Sequence, residues 1–178
     1  MKASRKLILY IAASLDGFIA TKEDDLSFLE KVSKEGEDYG YQHFVDSVDT
    51  VILGNKTYQK VISMGYEYPH QDKESYVVTR NPKPDQGKLH FYSGNLKDLV
   101  LELKGREGKN IFCDGGAFVV NNLLKEKLID EIILSIVPLL LGDGIRLFGE
   151  NGLFQDLELL HFKSFPTGLV QVHYEVKK

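Results

Sequence analysis

Apolar residues recur along this chain in short unbroken runs separated by amphipathic stretches, the pattern of a sheet whose strands are buried on both faces and joined by helices. Leu7 to Ala13 is the first such run and predicts a central strand. After the turn-like Asp16-Gly17, the residues Leu26, Phe28, Leu29 and Val32 share one helix face, with Asp24 or Asp25 as its N-cap, and the polar segment Ser33 to Tyr39 reads as a loop. Val48 to Leu53 predicts a second buried strand ending at Gly54, followed by a short helix from Thr57 to Ile62 that Gly65 terminates. Tyr76 to Thr79 predicts a third strand, stopped by Asn81-Pro82-Lys83-Pro84, and Leu89 to Tyr92 a fourth. Leu96, Leu99, Val100 and Leu103 stand at helical spacing before Gly105; a strand from Asn110 to Cys113 and a helix carrying Phe118, Val119, Leu123 and Leu124 come next. Beyond Ile129 the pattern changes to strands at Glu131 to Val137, Leu157 to Ser164 and Leu169 to Val176, with the turn residues Phe165-Pro166-Thr167-Gly168 between the last two. The expected class is α/β: three αβα layers around a mostly parallel central sheet, with an antiparallel C-terminal hairpin.

The chain's 178 residues, 43% hydrophobic and 27% charged, suffice for one full core, so a single domain over residues 1–178 is expected. A formal charge of -4 without a basic run argues against a dedicated nucleic-acid binder. Cys113 is the one cysteine, which excludes an intrachain disulfide, and its apolar neighbours predict a buried, inert thiol in a reducing compartment. No apolar run reaches the roughly 18 residues of a membrane span, and the N-terminus lacks a secretory apolar region, so a soluble, cytoplasmic protein is expected. His43, His70, His90, His161 and His173 show no paired ligand spacing, and no metal is expected.

Chemistry enters at Ile111 to Val120, where an apolar strand breaks at Gly115-Gly116 and resumes as a helix. Adjacent glycines leave backbone N–H groups bare at a helix start, which suits phosphate, although an ordinary tight strand-to-helix turn reads the same way. Gly54-Asn55-Lys56-Thr57 opens a helix after another strand, and Thr79-Arg80 ends a third. Ligands of open α/β sheets bind outside the carboxyl ends of parallel strands, so these three segments are candidates for one crevice. Helix starts suit a pyrophosphate, while the Thr79 hydroxyl and the Arg80 guanidinium suit a further phosphate, a combination that describes a phosphorylated dinucleotide.

Five segments in order, Ala12-Ala13-Ser14-Leu15-Asp16-Gly17-Phe18-Ile19-Ala20, Gly54-Asn55-Lys56-Thr57-Tyr58, Val77-Val78-Thr79-Arg80, Asp114-Gly115-Gly116 and Pro138 to Phe148, resemble the reductase domain of bacterial riboflavin biosynthesis and its stand-alone relatives, which have the dihydrofolate reductase-like fold. The resemblance covers nearly the whole chain and implies an NADPH-dependent reductase, usually a homodimer. It implies that Ala13 and Ile19 line the nicotinamide end, that Gly54, Lys56 and Thr57 face phosphates, and that Thr79 and Arg80 hold the adenosine 2′-phosphate. Gly115, Gly116, Ala117, Phe118 and Val119 would border the pyrophosphate and the nicotinamide ribose, with the Gly115–Gly116 peptide cis as in many similar reductases. Two positions depart from the pattern. Lys56 supplies charge without the planar fork of the Arg common after this glycine, and Tyr10 stands where riboflavin-pathway reductases commonly have Lys. The deaminase domain often fused to those reductases is not found in this sequence.

On the substrate side, hydride transfer to a heterocyclic or carbonyl small molecule needs a proton for the atom that gains electrons. Asp25, in Asp25-Leu26-Ser27-Phe28-Leu29, resembles the acid of dihydrofolate reductases, and Asp16 is a second candidate; a helix cap for the first and a turn residue for the second are the commoner readings of such positions. Phe28 and Tyr58 are candidates to contact substrate, and core packing is the alternative for Tyr58. Leu139-Leu140-Leu141 is either a dimer contact or buried beneath the final hairpin. A nucleotide-binding module without catalysis and a dihydrofolate reductase proper are the competing functional readings.

Overall fold

The structure, a computed structural model, describes residues 5–149 and 153–178. Its elements follow in the order β1 (Leu7–Ser14), β2 (Phe18–Ala20), a 3₁₀ turn (Ser27–Val32), α1 (Tyr41–Asp46), β3 (Val48–Gly54), α2 (Asn55–Ser63), β4 (Glu74–Val78), β5 (Leu89–Tyr92), α3 (Leu96–Gly105), β6 (Asn110–Gly115), α4 (Ala117–Lys125), β7 (Glu131–Val137), β8 (Ile145–Arg146), β9 (Leu157–Ser164) and β10 (Val170–Val176). Eight strands form one sheet in the order β5-β4-β3-β6-β1-β7-β10-β9. Every neighbouring pair from β5 to β7 is parallel, and β10 is antiparallel to both β7 and β9. The short β2 and β8 pair separately.

Strand alternation sends successive side chains to opposite faces, and each face carries its own core. Leu7 and Leu9 of β1, Ile52 of β3 and Ile111 and Cys113 of β6 pack with Leu99, Val100 and Leu103 of α3 and Val120, Leu123 and Leu124 of α4. Ile8, Val51, Leu53, Val77 and Phe112 point the other way and pack with Phe44 of α1 and Tyr58 of α2. The result is the three-layer, mostly parallel arrangement of the dihydrofolate reductase-like fold. β1, covered on both faces, shares the centre of the sheet with β6, as its unbroken apolar run requires. Cys113 is buried, and desolvation raises its thiol to about 12, which makes it inert.

Differences from the sequence expectations are local. β4 begins at Glu74 and ends at Val78; the Thr79 N–H still donates to the Tyr92 carbonyl (2.9 Å), and its hydroxyl accepts from the Asn81 N–H (3.1 Å), which starts the turn. The segment expected to be a helix around Phe28 is a 3₁₀ turn preceded by Leu26. Asp25 does act near its start, accepting from the Ser27 N–H (3.3 Å). Leu139 and Leu141 pack within the chain against Phe28, Val32, Val137, Phe165 and Leu169, while Leu140 projects outward. Among the described residues no helix is long and apolar enough to cross a membrane.

Candidate functional site

The carboxyl ends of β1, β3, β4, β5 and β6 open onto one cleft of about 1250 Å³. It forms where the sheet order reverses: β6, reached through α3, is inserted between β3 and β1, so the connections leaving β1 and β3 cover the face opposite to α3 and α4. Such a switch point leaves a crevice by construction.

Three helices start at this cleft, and they differ in their caps. The first turn of α3 is satisfied by its own Asn95 side chain, which accepts from Lys97 N–H (2.8 Å) and Asp98 N–H (3.3 Å). The starts of α2 and α4 follow Gly54 and Gly116 and have no side-chain cap, which leaves their first-turn amides available to an anion. The two starts also touch. A Cβ on Gly116 would lie 3.0 Å from Thr57 Oγ1 and 3.9 Å from Gly54 Cα, and one on Gly54 would meet Val119 Cγ2 at 3.4 Å. Gly116 has φ 68°, where a side chain is disfavoured. Glycines at both positions therefore keep two sets of amides side by side.

Cations complete this end. Lys56 and Arg80 are exposed at the cleft and make no ion pair among the described residues, whereas Lys97 is held by Glu126 (2.8 Å). The donor set, bare amides with an Arg and a Lys and no opposing carboxylate paired to either, fits a pyrophosphate and an additional phosphate.

The end nearer β1 and β6 is aromatic and carries one carboxyl. Tyr10, Tyr41, Phe112 and Asp114 line it. The Tyr10 ring stacks on Phe44 (4.6 Å between centroids) and meets Tyr41 edge-on (5.6 Å). Its hydroxyl donates to the Tyr39 carbonyl (3.2 Å) and accepts from Gln171 Nε2 (3.1 Å), so β10 fixes the orientation of a cleft residue. Asp114 lies at the end of β6, part-buried among these rings, and desolvation raises its carboxyl to about 7. A carboxyl with that value exchanges its proton near neutral pH, which is what a general acid requires.

Of the residues singled out from sequence, the cleft brings together Ile19, Gly54, Lys56, Thr57, Thr79, Arg80, Gly116, Ala117, Phe118 and Val119. Others lie elsewhere. Ala13 is buried in the core cluster that contains α4, and Ile11 and Ala12 line the cleft in its place. Gly115 is buried beside Ile11, and the Gly115–Gly116 peptide, expected to be cis, is trans. Tyr58 does not cover the mouth: it faces the sheet, edge-on to Tyr68 and Phe91. Phe28 is buried with Val32 and Phe165, and its neighbours Leu26 and Leu29 reach the cleft in its place.

Neither predicted acid is a cleft residue. Asp16 accepts from Ser14 Oγ (2.6 Å), Leu141 N–H (3.0 Å) and Gly142 N–H (2.7 Å); these bonds hold its carboxyl down at about 2, so it is an anionic latch for the loop after β7. Asp25 is exposed, and its hydrogen bond from the Ser27 hydroxyl lowers its carboxyl below the usual range. Both are ionised at neutral pH and have no proton to give. Asp114 was not singled out as a candidate acid from sequence, although it is the single charge inside the apolar run Ile111 to Val120. Tyr41 had no such signal, since α1 is too short and polar to register as a helix. Among the described residues no group of three or more His, Cys, Asp or Glu side chains converges to hold a metal ion.

Residues 5–171 match the RibD C-terminal domain. The uncharacterized protein YwjB of Bacillus subtilis strain 168 is 42% identical over 171 residues, which is 96% of this chain and 97% of YwjB. Among solved structures, a protein from Shewanella sp. PV-4 ascribed to riboflavin biosynthesis superposes with a TM-score of 0.88 at 31% identity, covering 97% of this chain and 99% of that one. A deaminase and 5-amino-6-(5-phosphoribosylamino)uracil reductase from Thermotoga maritima superposes with a TM-score of 0.72 over 98% of this chain and 57% of its own. At 13% identity that likeness is one of fold.

Proposed function

The chain belongs to the RibD C-terminal domain family, and from that membership together with the cleft we propose that it is a cytoplasmic NADPH-dependent reductase acting on a small heterocyclic or carbonyl compound. The observation that carries the reading is the meeting, in one cleft, of two uncapped helix starts, the unpaired Lys56 and Arg80, and the part-buried Asp114. The amides that begin α2 and α4 hold a pyrophosphate, with Lys56 and Thr57 beside it. Thr79 and Arg80 hold the 2′-phosphate that distinguishes NADPH from NADH. When bound, NADPH supplies the hydride.

The protein's own part is to position and to protonate. Ile11, Ala12 and Ile19 give an apolar wall against which a planar ring can lie, and Tyr10, Tyr41 and Phe112 form the aromatic side of the substrate end. Asp114, protonated in a substantial fraction at neutral pH, gives its proton to the atom that gains electrons. This candidate donor removes the main ground for a purely nucleotide-binding module. The exposed, ionised state of Asp25 speaks against a dihydrofolate reductase proper.

The enzyme works as a homodimer in this reading. β9 is the sheet's outer strand and exposes Leu157, Leu159, Leu160 and Phe162 along its length, an unusual edge for a chain that stays single.

Calorimetric titration with NADPH and with NADH tests the proposal. Binding with a clear preference for NADPH is expected, and Arg80→Ala abolishes the preference by removing a charge-assisted contact worth about 1.5–3 kcal/mol. Failure to bind either dinucleotide, or equal loss for both in the variant, overturns it.

A further inference from the structure

Behind the substrate end lies a polar contact with no part in the steps above. Tyr41 lines the cleft near Asp114, and its Oη is 3.3 Å from Nε2 of His70. His70 is only 2% exposed, and its ring meets those of Phe112 and Tyr68 edge-on, each with centroids 5.6 Å apart. Its other nitrogen, Nδ1, is buried and has no hydrogen-bond partner among the described residues. The groups around the imidazole are Tyr41 from α1, Phe112 from β6, Tyr68 and, in charge, Lys73 and Asp72 before β4. Burial, reinforced by Lys73, lowers the imidazole to about 4, so at neutral pH the ring has one N–H and one lone pair.

Which nitrogen carries the hydrogen decides what Tyr41 can do. If Nδ1 carried it, a buried N–H would be left without an acceptor, and orphaned N–H groups are rarer in proteins than under-used acceptors. The hydrogen on Nε2 leaves only a lone pair unmatched, and Nε2 then donates to Tyr41 Oη. A hydroxyl that accepts from behind has its own hydrogen free, and the open direction is the cleft. The Tyr41 hydroxyl keeps that hydrogen, because burial and the nearby Asp114 carboxylate both raise its pKa.

We infer that His70 is a positioning residue, present as the Nε2–H tautomer, that turns the Tyr41 hydroxyl into a hydrogen-bond donor facing the cleft. The substrate end thereby favours a ligand with an acceptor atom, a carbonyl oxygen or a ring nitrogen, next to Asp114. That preference rests on the proposed reductase reading, whereas the tautomer does not.

The test is a long-range proton–nitrogen NMR correlation on the whole protein labelled with ¹⁵N-histidine, recorded from about pH 5 to pH 8, the range in which an ordinary histidine titrates. His70→Gln assigns its signals among those of the other histidines. The expected result is a His70 pattern of the Nε2–H tautomer that does not titrate, with its Nε2 resonance displaced in Tyr41→Phe. An Nδ1–H pattern, titration within that range, or an Nε2 resonance unmoved by Tyr41→Phe overturns the inference. Should His70→Gln fail to fold, replacing His43, His90, His161 and His173 in turn assigns the His70 signals by elimination, and the tautomer pattern then decides. Because the readout needs no cofactor, failure of NADPH binding and failure of the tautomer assignment are separate results.

Discussion

Replacing Asp114 by Asn removes the one carboxyl that the cleft makes hard to ionise, and the consequence for stability has a definite sign. The ordinary value of 3.8 rises to about 7 in the folded chain, so the native state holds this proton over a range in which the unfolded chain has released it. Where the native state binds more protons, unfolding free energy falls as pH rises. Below about pH 4 both states are protonated and the group is silent. Between about pH 4 and pH 7 its presence becomes progressively destabilising, and above that the full effect remains. At about 1.4 kcal/mol per pH unit the interval corresponds to about 4 kcal/mol. Because Asp114 is only part-buried and faces an open cleft, about half of that, ~2 kcal/mol, is the expected effect. Urea unfolding of wild type and Asp114→Asn at intervals from about pH 5 to pH 8 measures it. The variant gains on the wild type as pH rises, and the difference shrinks toward the acid end. Parallel curves would refute the reasoning, since every other titrating group is shared by the two proteins and cancels in the difference.

Gly116→Ala and Gly65→Ala both impose a side chain at positive φ (68° and 78°) and each destabilises by about 1–2 kcal/mol in thermal unfolding. Only at Gly116 does the new Cβ press on Thr57, so only Gly116→Ala also weakens NADPH in calorimetry; equal affinities would detach these helix starts from the phosphate site. Asp25→Asn leaves NADPH affinity unchanged and turnover within about twofold, an effect of less than 0.5 kcal/mol as expected of an exposed turn residue, and a loss of turnover beyond tenfold would return it to the role of acid. Phe162→Asp, at the exposed outer strand, converts a dimer to monomer in sedimentation equilibrium; a wild type that is already monomeric, or a variant that remains dimeric, removes β9 as the interface.

Periodicity made the architecture legible because most strands are buried on both faces and most helices have one apolar side, so each writes its period into the sequence. Glu131 to Val137 was delimited to the residue. The three-residue β2, the two-residue β8 and the six-residue α1 were not, since elements that short cannot complete a period. At the cleft, the glycines before helices and Thr79-Arg80 after a strand were readable as lining residues, because they carry their signal locally. Side-chain roles were less so, because they depend on which face a residue meets and what packs there. Asp25 and Asp114 are both carboxylates beside apolar residues, yet one is exposed and bonded to Ser27 while the other is desolvated among rings brought in by α1 and β6. Tyr58 and Phe28 were misread for the same reason, each turned into a core that only the folded chain assembles.

The reductase reading stands or falls on consumption of reduced nicotinamide when the purified protein meets NADPH and a panel of oxo-pyrimidines, pterins and simple carbonyl compounds. Turnover is expected with at least one class, faster with NADPH than with NADH, with Arg80→Ala erasing the cofactor preference and Asp114→Asn reducing the rate by roughly 10²–10⁴, the range for loss of a general acid. NADPH that binds tightly but is consumed with no member of the panel would contradict it, and would make this cleft a nucleotide-binding site rather than an active site.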